Sequence, residues 1–126
     1  MMTVAVLDSD ARVVDALARR LDTGFRVVRA TDAVAALDAI ESQHADVLVT
    51  DILGTGLDAL GLVAEARRIR PNLPIVVVST FRDPGQAGGR VVYRYTVPGS
   101  RWPRPEDRAR LIGSLIAPPQ PAAVHP

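Results

Sequence analysis

The 126-residue sequence contains no cysteine, which excludes disulfides, thiolate catalysis and cysteine-based zinc sites. Its two histidines, His44 and His125, are too few and too poorly placed for a metal cluster. There is no apolar run of about eighteen residues and no basic stretch leading into a shorter apolar one. Neither a membrane span nor a secretory leader is expected, and the expected location is the cytoplasm. A dominant charge is missing too: the net charge is +1 and the basic residues are scattered, so this segment has no basic field with which to hold nucleic acid. All fifteen basic residues are arginine and none is lysine. Wherever chemistry asks for a compact ammonium, the chain has only a broad planar guanidinium.

What is present is enough apolar residue, 48% of the total, for one domain with its own core. Apolar runs alternate with helical patterns. Thr3 to Leu7 reads as a strand, and "SDARVVDALARRLDTG" follows it with Val13, Val14, Leu17 and Leu21 at helical spacing and Gly24 as a stop. "FRVVRA" is a second strand, and "TDAVAALDAIESQ" a second helix capped by Thr31 or Asp32 with Val34, Leu37 and Ile40 as its stripe. "DVLVT" and "PIVVVS" are further strands flanking "LDALGLVAEARRIR", with Leu60, Leu62, Val63 and Ile69 inward. Near-continuous apolar strands alternating with amphipathic helices predict an α/β, doubly wound, five-stranded parallel sheet in the order 2-1-3-4-5. Pro84 and the glycines of "TFRDPGQAGG" predict a degenerate fourth helix before "RVVYRYTV", an edge strand with Tyr93 and Tyr95 on one face. A last helix from Pro105 ends near Ile116, so the domain is expected over residues 1–117, with 118–126 a proline-rich tail or linker.

The third strand stops on Asp51, a residue that disfavours strands and dry interiors. Open parallel sheets carry their chemistry outside the carboxyl ends of the strands, and in the order 2-1-3-4-5 the first and third strands are neighbours. That brings Asp8, which ends the first strand in "VAVLDSD", beside Asp51, with Asp10 close by. Clustered carboxylates raise one another's pKa unless a cation sits among them, and oxygen ligands of this kind suit magnesium. Ser79 and Thr80 end the fourth strand as hydroxyl donors within reach of a group on Asp51.

At "DILGTGLDALGLVAEARRIRPNLPIVVVST" after an apolar strand, the chain resembles the response-regulator receiver domain of bacterial two-component signalling. The resemblance covers roughly residues 3–80 and the last helix. It implies that Asp51 is the acceptor of a phosphoryl group from a histidine kinase, that Asp8 belongs to the acidic metal site, that the Leu53 carbonyl adds a ligand, and that Ser79 is the switch hydroxyl. The domain itself is then no enzyme beyond autodephosphorylation. Three departures stand out. Ser9 replaces the second of two adjacent acids, with Asp10 one residue late and available as a helix cap, so weak magnesium binding is expected. The Lys-Pro pair that ends the family's fifth strand is absent, its place falling on Val97 and Pro98 or, in a second alignment, on Arg104 and Pro105. The fourth helix is weak. Output is therefore expected through a homodimer or another partner bound at strand 5 and the last helix, loosely coupled to Asp51, and most often transcriptional.

Two other classes compete. A pseudo-receiver keeps the fold and acts by binding alone. A haloacid-dehalogenase-type phosphohydrolase would use "LDSD", with Asp8 as nucleophile and Asp10 as acid, but the Gly-Thr that commonly follows and a catalytic lysine are both missing. No Gly-x-Gly-x-x-Gly follows the first strand, which removes dinucleotide binding. The remaining polar and aromatic features read as structural: His44 and the "RRIR" arginines at 67–70 as solvated helix ends, and Tyr93, Tyr95 and Trp102 as packing.

Overall fold

The structure is a computed structural model that describes residues 1–51, 59–81 and 89–117. Its elements run β1 (Thr3–Leu7), α1 (Ala11–Leu21), β2 (Arg26–Ala30), α2 (Ala33–Ser42), β3 (Val47–Thr50), α3 (Ala59–Ile69), β4 (Ile75–Phe81), β5 (Arg90–Thr96) and α4 (Pro105–Ile116). The five strands form one sheet in the order β2-β1-β3-β4-β5. Helices cover both faces. Val14, Leu17 and Leu21 of α1 and Leu111 and Leu115 of α4 pack with Val4, Val6, Val47, Val49, Val76 and Val78 on one side. Ala33, Ala36, Ala39 and Ile40 of α2 and Leu62 and Ala66 of α3 pack with Ala5, Leu7, Leu48 and Ile75 on the other. Each of the larger side chains, fully buried, contributes roughly 1.5–3 kcal/mol.

The helices start where local chemistry permits. Asp10 caps α1 by accepting the Arg12 amide, and Asp32 caps α2 by accepting the Ala35 amide. The face of α2 that meets the sheet is mostly alanine, while Val34 is 78% exposed; Leu60, at the start of α3, is 79% exposed. The helical spacing of the sequence predicts both inward. On α2 the buried contact is made by the alanines and Ile40, and Val34 falls outside it.

One strand differs in direction. β1, β2, β3 and β4 pair in parallel, but β5 runs antiparallel to β4, so the sheet is mixed and not wholly parallel. Phe81 ends β4 and Arg90 begins β5. A parallel return needs a crossover of about a dozen residues or more, and this interval is too short for one. The degenerate fourth helix expected in it falls on residues 82–88, outside the described residues, as does the tail at 118–126. A bulge between Val77 and Val78 shifts the β5 register: Tyr93 pairs with Val78 and packs into the α1–α4 side, while Tyr95 pairs with Val77 on the opposite face and is 44% exposed. The two tyrosines expected on one face are thus split between two.

Candidate functional site

The acids converge as the strand order requires. Leu7 pairs with Thr50 across β1 and β3, and the Asp51 amide donates to the Leu7 carbonyl at 3.4 Å. Asp8 and Asp51 therefore follow directly on two adjacent strand ends. Asp8 is 5% exposed and its carboxylate accepts the Asp10 amide at 2.8 Å. Burial raises the Asp8 pKa above the ordinary carboxylate value; the Asp10 hydrogen bond opposes this, and the negative charges of Asp51 and Asp10 add to the rise. The pocket thus holds a dry carboxylate facing a second, half-buried one, an arrangement that gains from a cation.

Asp10 is turned elsewhere. Its oxygens accept the Arg12 amide at 2.9 Å and the Arg12 Nε and Nη2 at 3.2 and 3.0 Å. A metal there would compete with Arg12 for its oxygens. Among the described residues no group of three acid or imidazole side chains gathers to hold a metal ion. Leu53 lies outside the described residues, and the expected carbonyl ligand with it. The donor set of Asp8 and Asp51, hard oxygens with a mutual repulsion to relieve, fits a divalent cation, with Ser9 exposed where a further carboxylate would strengthen it.

Ser79 and Thr80 are half-buried beyond the level of Thr50, which pairs with Val77. They point to opposite faces: Thr80 pairs with Val91 on the α1–α4 side, and Ser79 with Val92 on the α2–α3 side. Neither expected stand-in for the lysine is at the pocket. The Val97 amide donates to the Ile75 carbonyl at 2.8 Å, level with Leu48, which pairs with Ile75. Three residues of strand, about 10 Å, separate that level from Asp51. Arg104 sits before α4 with its Nη2 3.0 Å from Asp107 Oδ1, a bond that holds the Asp107 carboxyl below its usual range. Reversal of β5 has carried the end of the strand away from the acids.

Three arginines have roles that composition concealed. Arg67, expected in solvent, donates to the Pro98 carbonyl, to the Leu73 and Val97 carbonyls at 3.4 and 3.5 Å, and to Ser100 Oγ at 3.2 Å. Arg70 binds the Ala45 carbonyl at 2.9 Å and Asp46 at 3.3 Å. Of these helix-end arginines only Arg68 fits the solvated description, pairing with Glu65 on the surface. Arg20 donates to the carbonyls of Leu115, Ala117 and Gly89, joining the end of α1 to the end of α4 and the start of β5. The only signal for such clamps is an arginine at the last turn of a helix, which is also the signal for a solvated end. His44 is exposed with φ 55° in the turn after α2, as a helix-end residue.

Comparison with known proteins gives the site its context. The chain is 40% identical over 83 residues to the response regulator MprA of Mycobacterium avium, covering 65% of this chain and 36% of that protein. With MprA of Mycobacterium tuberculosis the identity is 40% over 81 residues, 64% of this chain and 35% of the relative. The chain thus spans about a third of the length of these relatives. Among solved structures, a CheY-like receiver domain protein from Methanospirillum hungatei matches with a TM-score of 0.58 at 21% identity, over 66% of this chain and 67% of that one. The receiver domain of the Francisella response regulator 1452 matches with a TM-score of 0.55 at 20% identity, over 92% and 79%. These two speak for the fold. No protein-family model matches the chain. The class is a doubly wound α/β module with paired acids at the carboxyl ends of its first and third strands. The likeness to the MprA response regulators and the receiver-domain fold together support a response-regulator receiver domain. Among the described residues, no helix is long and apolar enough to cross a membrane.

Proposed function

We propose that Asp51 accepts a phosphoryl group from a histidine kinase and that the domain, spanning residues 1–117 with 118–126 as linker, passes the event on weakly. The observation that carries this reading is the buried Asp8 carboxylate beside Asp51, raised in pKa by its burial and by that neighbour. In the transfer an Asp51 carboxylate oxygen attacks phosphorus, the phosphorus–nitrogen bond of a phosphohistidine breaks, and the imidazole leaves. Asp8, Asp51 and the Leu53 carbonyl are the groups that would hold magnesium, with Asp10 only in reserve. Bound there, magnesium supplies positive charge against the phosphoryl oxygens. Ser79 is the hydroxyl assigned to the phosphoryl group, with Thr80 beside it. The reaction is acceptance of a group, with autodephosphorylation its only turnover, and a cytoplasmic location goes with this role.

Output is assigned to association at strand 5 and the last helix, as a homodimer or with another partner, serving transcription. Exposed Ile116 at the end of α4 supports that face. A pseudo-receiver is the second reading, favoured by the position of Val97 far from the acids. Intact mass after incubation with a small phosphodonor and magnesium tests the assignment. A single phosphoryl gained by the wild type and lost in Asp51→Asn is the expected result. No gain would leave the pseudo-receiver, and turnover of a phosphate ester that depends on Asp8 would restore the phosphohydrolase.

A further inference from the structure

We infer that the outer edge of β5 docks an acidic, extended segment of a partner protein, which adds to the sheet as a sixth strand. The inference deepens the proposed output at strand 5 and rests on it for its biological purpose, but the docking itself does not require a phosphorylated Asp51.

β5 is the last strand of the sheet, and alternate backbone amides and carbonyls of such a strand point away from its neighbour. Among the described residues no hydrogen bond reaches them from the outer side. Its seven residues offer a strand of about 23 Å. Among the described residues the face away from α4 carries exposed apolar side chains. The register places Tyr95 with Val77, Val92 with Ser79 and Arg90 with Phe81 along that face. Tyr95 is 44%, Val92 36% and Phe81 61% exposed. An added strand would lay alternate side chains against this ladder.

Charge selects the occupant. Arg90 and Arg94 are exposed, and among the described residues neither has an acid within ion-pair distance. On the opposite edge of the sheet, Arg29 of β2 is held by Asp15 at 3.2 Å and Asp22 at 3.8 Å. From residue 89 to residue 117 six arginines face two acids, and Asp107 is already committed to Arg104. A second copy is the poorer occupant. Two β5 strands meeting about a two-fold axis would bring two Arg90 and two Arg94 to one seam with no acid among them. A segment that alternates carboxylates with apolar side chains supplies both complements.

The test titrates the full chain calorimetrically with blocked peptides of about ten residues, strand length. One alternates Glu with Val and Thr; one has Lys for every Glu; one keeps the Glu residues but carries prolines that remove its backbone donors. The Glu peptide is expected to bind and to slow amide exchange over residues 90–96. Binding should be at least about tenfold weaker for the Lys and proline peptides, and for the Glu peptide with the folded Arg90→Ala/Arg94→Ala variant. No binding of the Glu peptide, or equal binding of the Lys or proline peptide, overturns the inference. So does a dimer in sedimentation that the Glu peptide cannot dissociate, which gives the edge to a second copy, or equally potent displacement by single-stranded DNA, which gives the face to phosphates. Peptide binding by a wild type that gains no phosphoryl mass supports the docking while removing the Asp51 reading.

Discussion

Gly99→Ala perturbs the loop that fixes the far end of β5. Gly99 has φ +88°, and a Cβ built there would lie 2.8 Å from Arg67 Nη1. Two costs follow. An L-residue in this left-handed region loses about 1–2 kcal/mol. The guanidinium must also withdraw, and its Nη1 is the donor to the Pro98 carbonyl. A charged hydrogen bond is worth about 1.5–3 kcal/mol, part of which the remaining contacts with Ser100 and Val97 retain. The expected destabilisation is about 2–4 kcal/mol. In an Arg67→Ala background only the backbone term remains, about 1–2 kcal/mol, so the double-mutant cycle should show a coupling of about 1–2 kcal/mol. Urea unfolding of the four proteins, followed by the single tryptophan, Trp102, measures it. Additivity within about 0.5 kcal/mol would refute the reasoning, because the new methyl would then not be meeting the guanidinium. Arg67→Lys should rescue little, since one ammonium cannot span three carbonyls and a hydroxyl.

Asp8→Asn should stabilise the magnesium-free protein at neutral pH. The folded state raises the Asp8 pKa, chiefly through burial, so it binds that proton more tightly than the unfolded chain. The wild type therefore loses stability from this group as pH rises from the ordinary carboxylate value through the raised pKa, and urea midpoints against pH should show that slope flattened in the variant. Ser9→Asp should increase magnesium affinity about tenfold by titration, since hard cations gain with ligand charge; no change would mean that the position does not face the metal. Arg20→Met should cost about 2–4 kcal/mol in urea unfolding, because the three carbonyls it serves lose a shared, half-buried donor; a change under about 0.5 kcal/mol would show that solvent replaces it.

The strand order and the pairing of Asp8 with Asp51 were legible because both depend on short-range signals. Apolar runs of four or five residues between capped helices leave few topologies, and parallel strands bring their carboxyl ends together wherever they pair. The direction of β5 was not legible in the same way. "RVVYRYTV" alternates identically whether it runs up or down, and direction is set by the short interval from Phe81 to Arg90, whose proline and glycines signal only a broken helix. The split of Tyr93 from Tyr95 escaped for a related reason. A one-residue bulge leaves no mark in composition, yet it moves one of two residues at strand spacing to the other face. Arg67 shows a third kind of limit: its partners are the carbonyls of Leu73, Val97 and Pro98, and backbone groups carry no residue-type signal.

The direction of β5 sets how far position 97 stands from the acids. In a parallel fifth strand the carboxyl end would stand beside Asp51, where an ammonium can reach a phosphoryl group. In this sheet that end is tied to the amino end of β4, with Thr96 paired to Val76 and the Val97 amide on Ile75. A lysine there would be about 10 Å below the acids along the strand and two strands to the side, beyond the reach of its side chain in this register. With β5 reversed, a side chain at position 97 faces away from the acids' end of the sheet. Val97→Lys is therefore expected to leave phosphoryl gain and phosphoryl lifetime on Asp51 unchanged, measured by intact mass over time on protein shown to be folded by circular dichroism. The half-buried Val97 packs beside Ile75, so some loss of urea stability is expected without any change in those two quantities. A lysine that lengthened or shortened the phosphoryl lifetime would place the end of β5 at the pocket and overturn the antiparallel arrangement on which this account of the switch depends.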